Sequence, residues 1–181
     1  MARTIKIDNA LEKRFSYPSK KKNKKKELPI HIHFLIVCEG EKTEPNYFKS
    51  FPKKVGNFIF EIKCEGGEIN TLKVVETAIK LRDGSQQKYD RVWAVFDRDS
   101  FPAKNFNSAI SKAKDKKICC AWSNEAFELW YLLHFQYRNT GMRRTEYQGE
   151  IEEEIKKKWK NKKKPYKYQK NATDMYDVLD K

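Results

Sequence analysis

Two short apolar runs that lead directly into acidic residues constrain the fold of this chain most. Residues 34–37 (Phe-Leu-Ile-Val) precede Cys38 and Glu39, and residues 92–96 (Val-Trp-Ala-Val-Phe) precede Asp97. Both runs are too short for buried helices and are rich in β-branched and aromatic residues, which favours parallel strands buried on both faces. The sequence therefore predicts an α/β fold in which acidic side chains follow the carboxyl ends of buried strands.

Strand-like and helix-like segments alternate along the chain. Strands are predicted near residues 32–38, 57–64, 92–96 and 118–122, each followed by a segment with helical spacing of apolar residues. Right-handed crossovers fold this order into a four-stranded, mainly parallel sheet with helices on both faces. We expect the first and third strands to be neighbours and the second to lie at an edge. The helix over about 125–135 is almost wholly apolar, so we expect it to be buried, with Ser123 or Asn124 as its N-cap.

Three carboxylates are expected at the carboxyl edge of this sheet. Ligands bind in the crevice at that edge in open α/β sheets, and Glu39, Asp97 and Asp99 would reach it. Carboxylates gathered in one crevice repel one another unless a hard cation such as Mg²⁺, or Mn²⁺ in its place, lies between them. Arg98 points aside from the two aspartates and could hold a phosphate. The alternative is structural: Asp97 caps the turn after the strand, and Asp99 is a solvent-facing loop acid.

Phosphodiester cleavage is the chemistry that such a site favours. One or two Mg²⁺ ions can neutralise charge on a pentacovalent phosphorus and generate a nucleophile at neutral pH. Glu39 could complete the metal shell or accept a proton from the attacking water. Glu128 lies in the apolar helix, where a buried carboxylate needs a partner or a supporting role in the site. Glu44, next to Pro45, is expected to interact with a helix amino terminus and is not assigned to the catalytic set.

Positive charge is concentrated in two flanking segments. Of the net charge of +14, residues 1–27 contribute +7, residues 155–170 contribute +9, residues 171–181 contribute −2 and residues 28–154 sum to zero. Basic arms on a neutral body attract a polyanion over long range, although solvated tails give the same pattern. We expect residues 1–29 to form a basic arm that is disordered in the free protein, because its lysine run has no apolar residue to offset the entropy of ordering.

A basic helical extension is predicted for residues 136–181. In it Lys162, Lys163 and Lys164 adjoin Tyr166, so that the charges could follow a nucleic-acid backbone while the ring stacks on a base. Packing of the aromatic residue against the body of the protein is the alternative. No stretch approaches the roughly 20 apolar residues that span a bilayer, and the amino terminus lacks the apolar core of a signal peptide. We therefore expect a cytoplasmic protein with no membrane partner.

Three separated motifs resemble the RloB-like family. They are residues 35–48 (LIVCEGEKTEPNYF), 92–99 (VWAVFDRD) and 123–135 (SNEAFELWYLLHF), and the resemblance covers roughly residues 30–135. It implies a TOPRIM-like, Rossmannoid catalytic domain over that range, in which Glu39, Asp97 and Asp99 hold Mg²⁺. It also implies a role in phage defence or abortive infection and places Lys42 near a phosphate, although a surface lysine fits that position equally. The long lysine runs and a final helix, 171–181, that stops early depart from the family pattern.

The main hypothesis from the sequence is a Mg²⁺-dependent nuclease that hydrolyses phosphodiester bonds in DNA or RNA. Its expected partners are nucleic acid and, by resemblance, a protein of a defence system. The alternative is a TOPRIM-like module that binds nucleic acid or a partner protein without turnover. A phosphatase on a similar sheet would need an aspartate nucleophile after the first strand, where this chain has Glu39.

Overall fold

The computed structural model of the chain describes residues 28–67, 70–98, 103–159 and 166–180. Its strands are β1 (Ile30–Cys38), β2 (Lys54–Val55), β3 (Phe58–Glu65), β4 (Arg91–Arg98) and β5 (Cys119–Asn124). Its helices are α1 (Thr43–Lys49), α2 (Thr71–Asp83), α3 (Ala103–Asp115), α4 (Glu128–Leu133), α5 (Tyr147–Lys158) and α6 (Met175–Asp180). The described residues therefore form an α/β fold, as predicted.

The sheet has five strands in the order β2-β3-β1-β4-β5. β1 pairs in parallel with β3 and β4, and β4 pairs in parallel with β5. The two-residue strand β2 pairs antiparallel with Phe58 and Ile59 of β3. The prediction of four strands is therefore wrong: the sheet is mixed, and β2 occupies the edge predicted for β3. Two residues are too few to give a periodic signal, so apolar patterning could not reveal β2. The predicted adjacency of β1 and β4 is confirmed.

Alternation along β1 divides the core into two parts. Leu35 and Val37 are fully buried on the face covered by α2 and α3. Ile36 and Cys38 are buried on the opposite face, against residues of α1, α4, α5 and α6. Because successive side chains of a strand point to opposite faces, one continuous apolar run supplies both cores.

Helix α4 is shorter than the predicted helix. It covers Glu128–Leu133 rather than 125–135. β5 continues through Asn124, and Glu125 has a φ of +66°, a left-handed conformation that separates the strand from the helix. Ser123 and Asn124 are therefore strand residues and do not cap the helix as predicted. The apolar pattern marked the helix but not its beginning, which depends on the backbone of the preceding turn.

One hydrogen-bond network joins α4 to α1. Tyr131 and Leu132 of α4 are buried, whereas Trp130 is 46% exposed, so the prediction of a buried helix holds for one side only. The indole N–H of Trp130 donates to the hydroxyl of Tyr47 in α1 at 2.9 Å. The same hydroxyl lies 3.0 Å from Nε2 of His134, the residue after α4. A single hydroxyl therefore connects the two helices.

The carboxy-terminal helices pack on the same core as the sheet. Ile151 and Ile155 of α5 and Met175 and Leu179 of α6 are buried in one cluster with Val95 of β4. The predicted division into residues 1–29, 30–135 and 136–181 stays a prediction, and most of the first segment, residues 1–27, lies outside the described residues. Within the part of the chain that the structure describes, no helix combines the length and the apolar character that crossing a bilayer requires.

Candidate active site

Glu39 and Asp97 lie side by side, at the carboxyl end of β1 and near that of β4. The two strands are parallel neighbours, with Cys38 paired to Val95. The backbone N–H of Glu39 donates to the carbonyl of Val95 at 2.9 Å, and the backbone N–H of Asp97 donates to Oε2 of Glu39 at 3.2 Å. The structure thus brings these two predicted acids together at one edge of the sheet.

A cleft of about 330 Å³ opens at this edge. Its lining includes four carboxylates and two cationic side chains: Glu39, Glu44, Asp97 and Glu128 with Arg144 and Lys170. The other lining residues are Gly40, Thr43, Ala126, Phe127, Thr145, Tyr147, Gln148 and Tyr168. The four acids come from separate elements, since they follow β1 or lie in α1, β4 and α4. The cleft is therefore formed where the carboxyl edge of the sheet meets these two helices and the segments flanking α5.

The carboxyl of Asp97 lies in surroundings that disfavour its charge. Its side chain is 18% exposed, and its Oδ1 is buried without a hydrogen-bond partner among the described residues. Burial raises the pKa of Asp97 to about 7, and the charges of Glu44 and Glu39 act in the same direction. The guanidinium of Arg144, 3.6 Å from Oδ2, lowers this pKa but does not offset the rise. Near neutral pH the cleft therefore holds a proton or requires further positive charge.

Glu44 is a cleft acid that the sequence does not distinguish from an ordinary helix-terminal one. Its side chain is buried, and its Oε2 has no hydrogen-bond partner in the described part of the chain. Burial raises the pKa of Glu44, and the charge of Glu128 adds to this, while backbone N–H groups counteract it. A Cβ atom at Gly40 would overlap the Glu44 carboxyl. The absence of a side chain at Gly40 therefore leaves the space that the Glu44 carboxyl occupies.

Arg144 reaches the cleft from the segment between α4 and α5. Its Nε and Nη2 donate to the carbonyl oxygen of Glu125 at 3.0 and 2.6 Å. Glu125 is the residue whose left-handed backbone separates β5 from α4. Arg144 thus connects the turn after β5 with Asp97. The sequence of this segment is typical of a polar loop and contains no motif that identifies Arg144, because its position depends on tertiary contacts.

Glu128, predicted to support the site, lines the cleft from the first turn of α4. Its Oε1 accepts a hydrogen bond from the hydroxyl of Tyr168 at 2.8 Å. Burial and the charge of Glu128 both raise the pKa of Tyr168, so this phenol stays a hydrogen-bond donor at neutral pH. The backbone N–H of Tyr168 also donates to Oε1 of Glu152 in α5 at 2.9 Å. The segment after α5 is thereby fixed against the cleft.

Two residues predicted to contact phosphate lie away from the cleft lining. Lys42 is exposed directly before α1 and is not among the residues that line the cleft. The guanidinium of Arg98 lies 5.3 Å from the centre of the Phe106 ring, which belongs to α3. Arg98 therefore lies on the face of the sheet that α3 covers, and its guanidinium is beside Phe106 of that helix.

The predicted nucleic-acid contacts near the carboxy terminus are described only at Tyr166. Its hydroxyl donates to Sδ of Met175 at 3.1 Å, and its ring packs edge to face on Trp159. This arrangement favours the packing alternative over base stacking. The other predicted residues, Asp99 of the site and Lys162, Lys163 and Lys164 of the extension, lie outside the described residues.

The carboxylate oxygens that line the cleft are the kind of atom that binds a hard cation. Asp97 Oδ1 and Glu44 Oε2 are buried and have no hydrogen-bond partner among the residues that the structure describes, and carboxylate oxygens are the ligands that Mg²⁺ prefers. Among residues 28–67, 70–98, 103–159 and 166–180, however, no three His, Cys, Asp or Glu side chains are grouped as metal ligands would be. Asp99, the third predicted ligand, lies outside these ranges, so the Mg²⁺ site stays a prediction.

Replacing Glu44 by glutamine is expected to lower the pKa of Asp97. After burial, the charge of Glu44 is the main cause that raises this pKa, and glutamine keeps the volume of the side chain without its charge. The measurement is an NMR titration of the Asp97 carboxyl carbon. Glu41→Gln is the matched control, because Glu41 is exposed in the same segment and does not line the cleft. An Asp97 titration that is the same in E44Q and the unchanged protein would show that the two acids do not interact.

The chain matches a protein-family model over most of its length. The model, described as RloB-like protein, covers residues 34–181, which extends beyond the range 30–135 of the three motifs. No curated protein matches the chain, and no solved structure matches it. The matched range contains all four acids of the cleft and both carboxy-terminal helices, α5 and α6. The chain therefore belongs to the RloB-like family.

Proposed function

We propose that this protein is a nuclease that hydrolyses phosphodiester bonds in DNA or RNA with a divalent cation, Mg²⁺ or Mn²⁺. The observation that carries the proposal is the meeting of Glu39 and Asp97 at adjacent parallel strands. In the same cleft, two buried carboxylate oxygens have no hydrogen-bond partner among the described residues. Acids that raise one another's pKa are stabilised as carboxylates by a bound cation. A TOPRIM-like catalytic domain and a role in phage defence or abortive infection belong to the same proposal.

Some residues of the cleft would hold the cation, and others would bind the phosphate. Glu39, Asp97 and Glu44, with Asp99 as a further ligand, would hold the cation. When bound, that ion supplies charge neutralisation at the phosphate and an activated water. The guanidinium of Arg144 carries positive charge into the same cleft, 3.6 Å from Asp97, and guanidinium groups suit the geometry of a phosphate. Arg144 is therefore proposed to orient the phosphate against the acids.

The two basic segments of the sequence are proposed to increase the rate of encounter with the polymer. Residues 1–27 and 155–170 carry charges of +7 and +9. The second segment ends at Lys170, which lines the cleft. Binding that neutralises phosphates releases counterions, so the affinity for nucleic acid is expected to fall steeply as salt rises. The same segments would serve a binding module equally, so salt dependence alone does not identify an enzyme.

The test combines four polymers with three ionic conditions. Purified full-length protein is incubated with supercoiled plasmid, single-stranded DNA, transfer RNA or messenger RNA, each with Mg²⁺, Mn²⁺ or EDTA. We expect shortened products from at least one polymer with a divalent cation and none with EDTA, because the phosphate cannot be neutralised by the acids themselves. Return of cleavage when excess Mg²⁺ is added to the EDTA sample is the control for irreversible inactivation.

The two remaining outcomes decide against the proposal. Cleavage that persists in EDTA would refute the dependence on a cation. Tight, salt-sensitive binding without cleavage under any condition would favour the alternative, a TOPRIM-like module that binds nucleic acid or a partner protein of a defence system without turnover.

A further inference from the structure

Residues 166–171, here called the strap, cross one wall of the cleft from α4 to α1. At one end, the hydroxyl of Tyr168 donates to Oε1 of Glu128 in α4 at 2.8 Å. At the other end, Oγ1 of Thr43 in α1 donates to Oδ1 of Asn171 at 2.9 Å. Tyr168 and Thr43 are buried, and both line the cleft. The strap is therefore fixed at both ends against residues of the cleft.

Asn171 also holds its end of the strap through its backbone. Its carbonyl oxygen accepts a hydrogen bond from Nδ2 of Asn46 in α1 at 2.9 Å. Its φ is +74°, in the left-handed region that asparagine tolerates better than most side chains. A fixed backbone at Asn171 determines the path of the residue directly before it, which is Lys170.

Lys170 is the residue of the strap that brings positive charge to the cleft acids. It is exposed and lines the cleft, and its charge counteracts the rise in the pKa of Glu44. Lys167, three residues earlier in the strap, is exposed as well but is not among the described residues that line the cleft. The two lysines therefore differ in position although they belong to the same short segment.

Arg144 and Lys170 approach the cleft acids from different sides. Arg144 is held at the turn after β5 through the carbonyl of Glu125, whereas the strap is held at α1, which packs against β3. In the strand order β3-β1-β4-β5, Glu39 and Asp97 come from the two strands between these positions. One cationic side chain therefore lies on each side of the two acids.

We propose that Lys170 binds the phosphate next to the one that is cleaved, so that the substrate is a strand with at least two consecutive phosphates. Arg144 would orient the cleaved phosphate, and Asn171 is the positioning residue that holds Lys170 in the cleft. A lysine ammonium is a compact charge that binds a phosphate without the fixed fork geometry of arginine, which suits a flanking contact. The proposal rests on the proposed function, because that function defines which phosphate is cleaved.

Binding of single-stranded probes tests this contact without any need for cleavage. Full-length D97N protein is titrated into fluorescein-labelled oligo(dT) and oligo(U) of about 12 nucleotides, and the anisotropy is recorded at increasing salt. Lys170→Ala in this background should weaken binding several-fold. It should also reduce the slope of log affinity against log salt by about 0.7, the value for one phosphate contact on a single strand. Lys167→Ala is the matched control, since it removes the same charge from the strap outside the cleft, and it should change both quantities less.

The outcomes separate this contact from the nuclease activity. Equal affinity and equal salt slope of K170A and K167A on both probes would overturn the role of Lys170, whether or not the protein cleaves. The absence of measurable binding at low salt would overturn it as well. Weaker binding by K170A together with no cleavage by the unchanged protein would support the phosphate contact and count against the nuclease alone.

The kinetics on the polymer identified in the cation test give a second readout. K170A should raise KM several-fold and leave kcat nearly unchanged, because a flanking phosphate is bound equally in the ground state and the transition state. A lower kcat with an unchanged KM would place Lys170 at the cleaved phosphate and overturn the flanking assignment.

A double-mutant cycle tests whether Asn171 acts through Lys170. Asn171→Ala removes the partner of Thr43 and disfavours the left-handed backbone, so it should weaken probe binding in the same direction as K170A. With alanine already at position 170, N171A should weaken binding little further, because both substitutions remove the same contact. Additive losses of affinity would overturn the positioning role of Asn171. The melting temperature of each variant is recorded so that a loss of folding is recognised.

Discussion

Asp97→Asn is expected to lower nucleic-acid cleavage by about 10²- to 10⁴-fold, a loss typical of removing one group that acts directly on the reaction. Asparagine keeps the shape of the side chain but removes the negative charge that faces Glu39, Glu44 and Arg144. The loss should appear in kcat on the polymer identified in the cation test. Asp115→Asn is the matched control, because Asp115 is exposed at the end of α3 and away from the cleft.

The same substitution is expected to stabilise the protein at pH 8. Burial raises the pKa of Asp97 from its ordinary value of 3.8 to about 7, so between these pH values the folded protein binds more protons than the unfolded chain. The stability that depends on this group therefore falls as pH rises from 4 to 7 and stays low above pH 7. The full pKa difference corresponds to a loss of at most about 4 kcal/mol in the free energy of unfolding. Part of that loss belongs to the neighbouring acids, because their titrations are coupled to that of Asp97. D97N should be more stable than the unchanged protein at pH 8 and about equal to it near pH 3.

Thermal unfolding with and without Mg²⁺ distinguishes the effect of the Asp97 charge on stability from the effect of cation binding. If the cleft binds Mg²⁺ as proposed, Mg²⁺ should raise the melting temperature of the unchanged protein at pH 8 and should have little effect on D97N. Cleavage by D97N at the rate of D115N would remove Asp97 from the mechanism. Equal melting temperatures of D97N and the unchanged protein at pH 8 would show instead that the folded state does not disfavour the Asp97 charge.

Gly66→Ala is expected to lower the free energy of unfolding by about 2 kcal/mol and to reduce cleavage at the same time. A Cβ atom at this position would overlap the carbonyl oxygen of Gly40 and lie 2.8 Å from Cγ of Pro45. Gly40 lies in the segment that joins Glu39 to Glu44, and Pro45 directly follows that segment. Because the obstructing oxygen is part of the backbone, that whole segment must shift, and the two acids must shift with it. The melting temperature should fall by roughly 4–8 °C.

Gly149→Ala provides the control for this change. Gly149 lies in α5, and a Cβ at that position would meet no other part of the described chain within 4 Å beyond its own helix backbone and chain neighbours. Alanine there should stabilise the helix by up to about 1 kcal/mol, because glycine disfavours helix interiors. The two alanines should therefore change the melting temperature in opposite directions. Similar melting temperatures for G66A and G149A would show that the segment from Glu39 to Glu44 tolerates the extra methyl group.

The elements that could be predicted are those that local sequence determines. Continuous apolar runs identified β1 and β4. The N-cap of α2 is also determined locally, since the side chain of Asn70 accepts a hydrogen bond from the backbone N–H of Lys73 at 3.0 Å. β2 and the beginning of α4 could not be predicted, because β2 depends on pairing with β3 and α4 follows the left-handed residue Glu125. Neither feature has a periodic signal in the sequence.

The same distinction applies to the candidate site. Glu39 and Asp97 were predictable because each directly follows, or ends, a buried apolar run on a neighbouring strand. Arg144 and Tyr168 come from irregular segments, where composition does not determine position. Alternation along β4 predicted that Arg98 points aside from Asp97, and it lies beside Phe106 of α3, whereas its contact with a phosphate stays a prediction.

The hydroxyl of Tyr47 has a consequence for how the cleft could be adjusted. Tyr47 lies three residues after Glu44 on α1, and its partners Trp130 and His134 lie two and six residues after Glu128, in α4 and directly after it. Tyr47, Trp130 and His134 thus form an aromatic clamp that connects the helix carrying Glu44 with the helix carrying Glu128. Substitutions at the clamp could retune how those charges cooperate while every residue that lines the cleft remains unchanged.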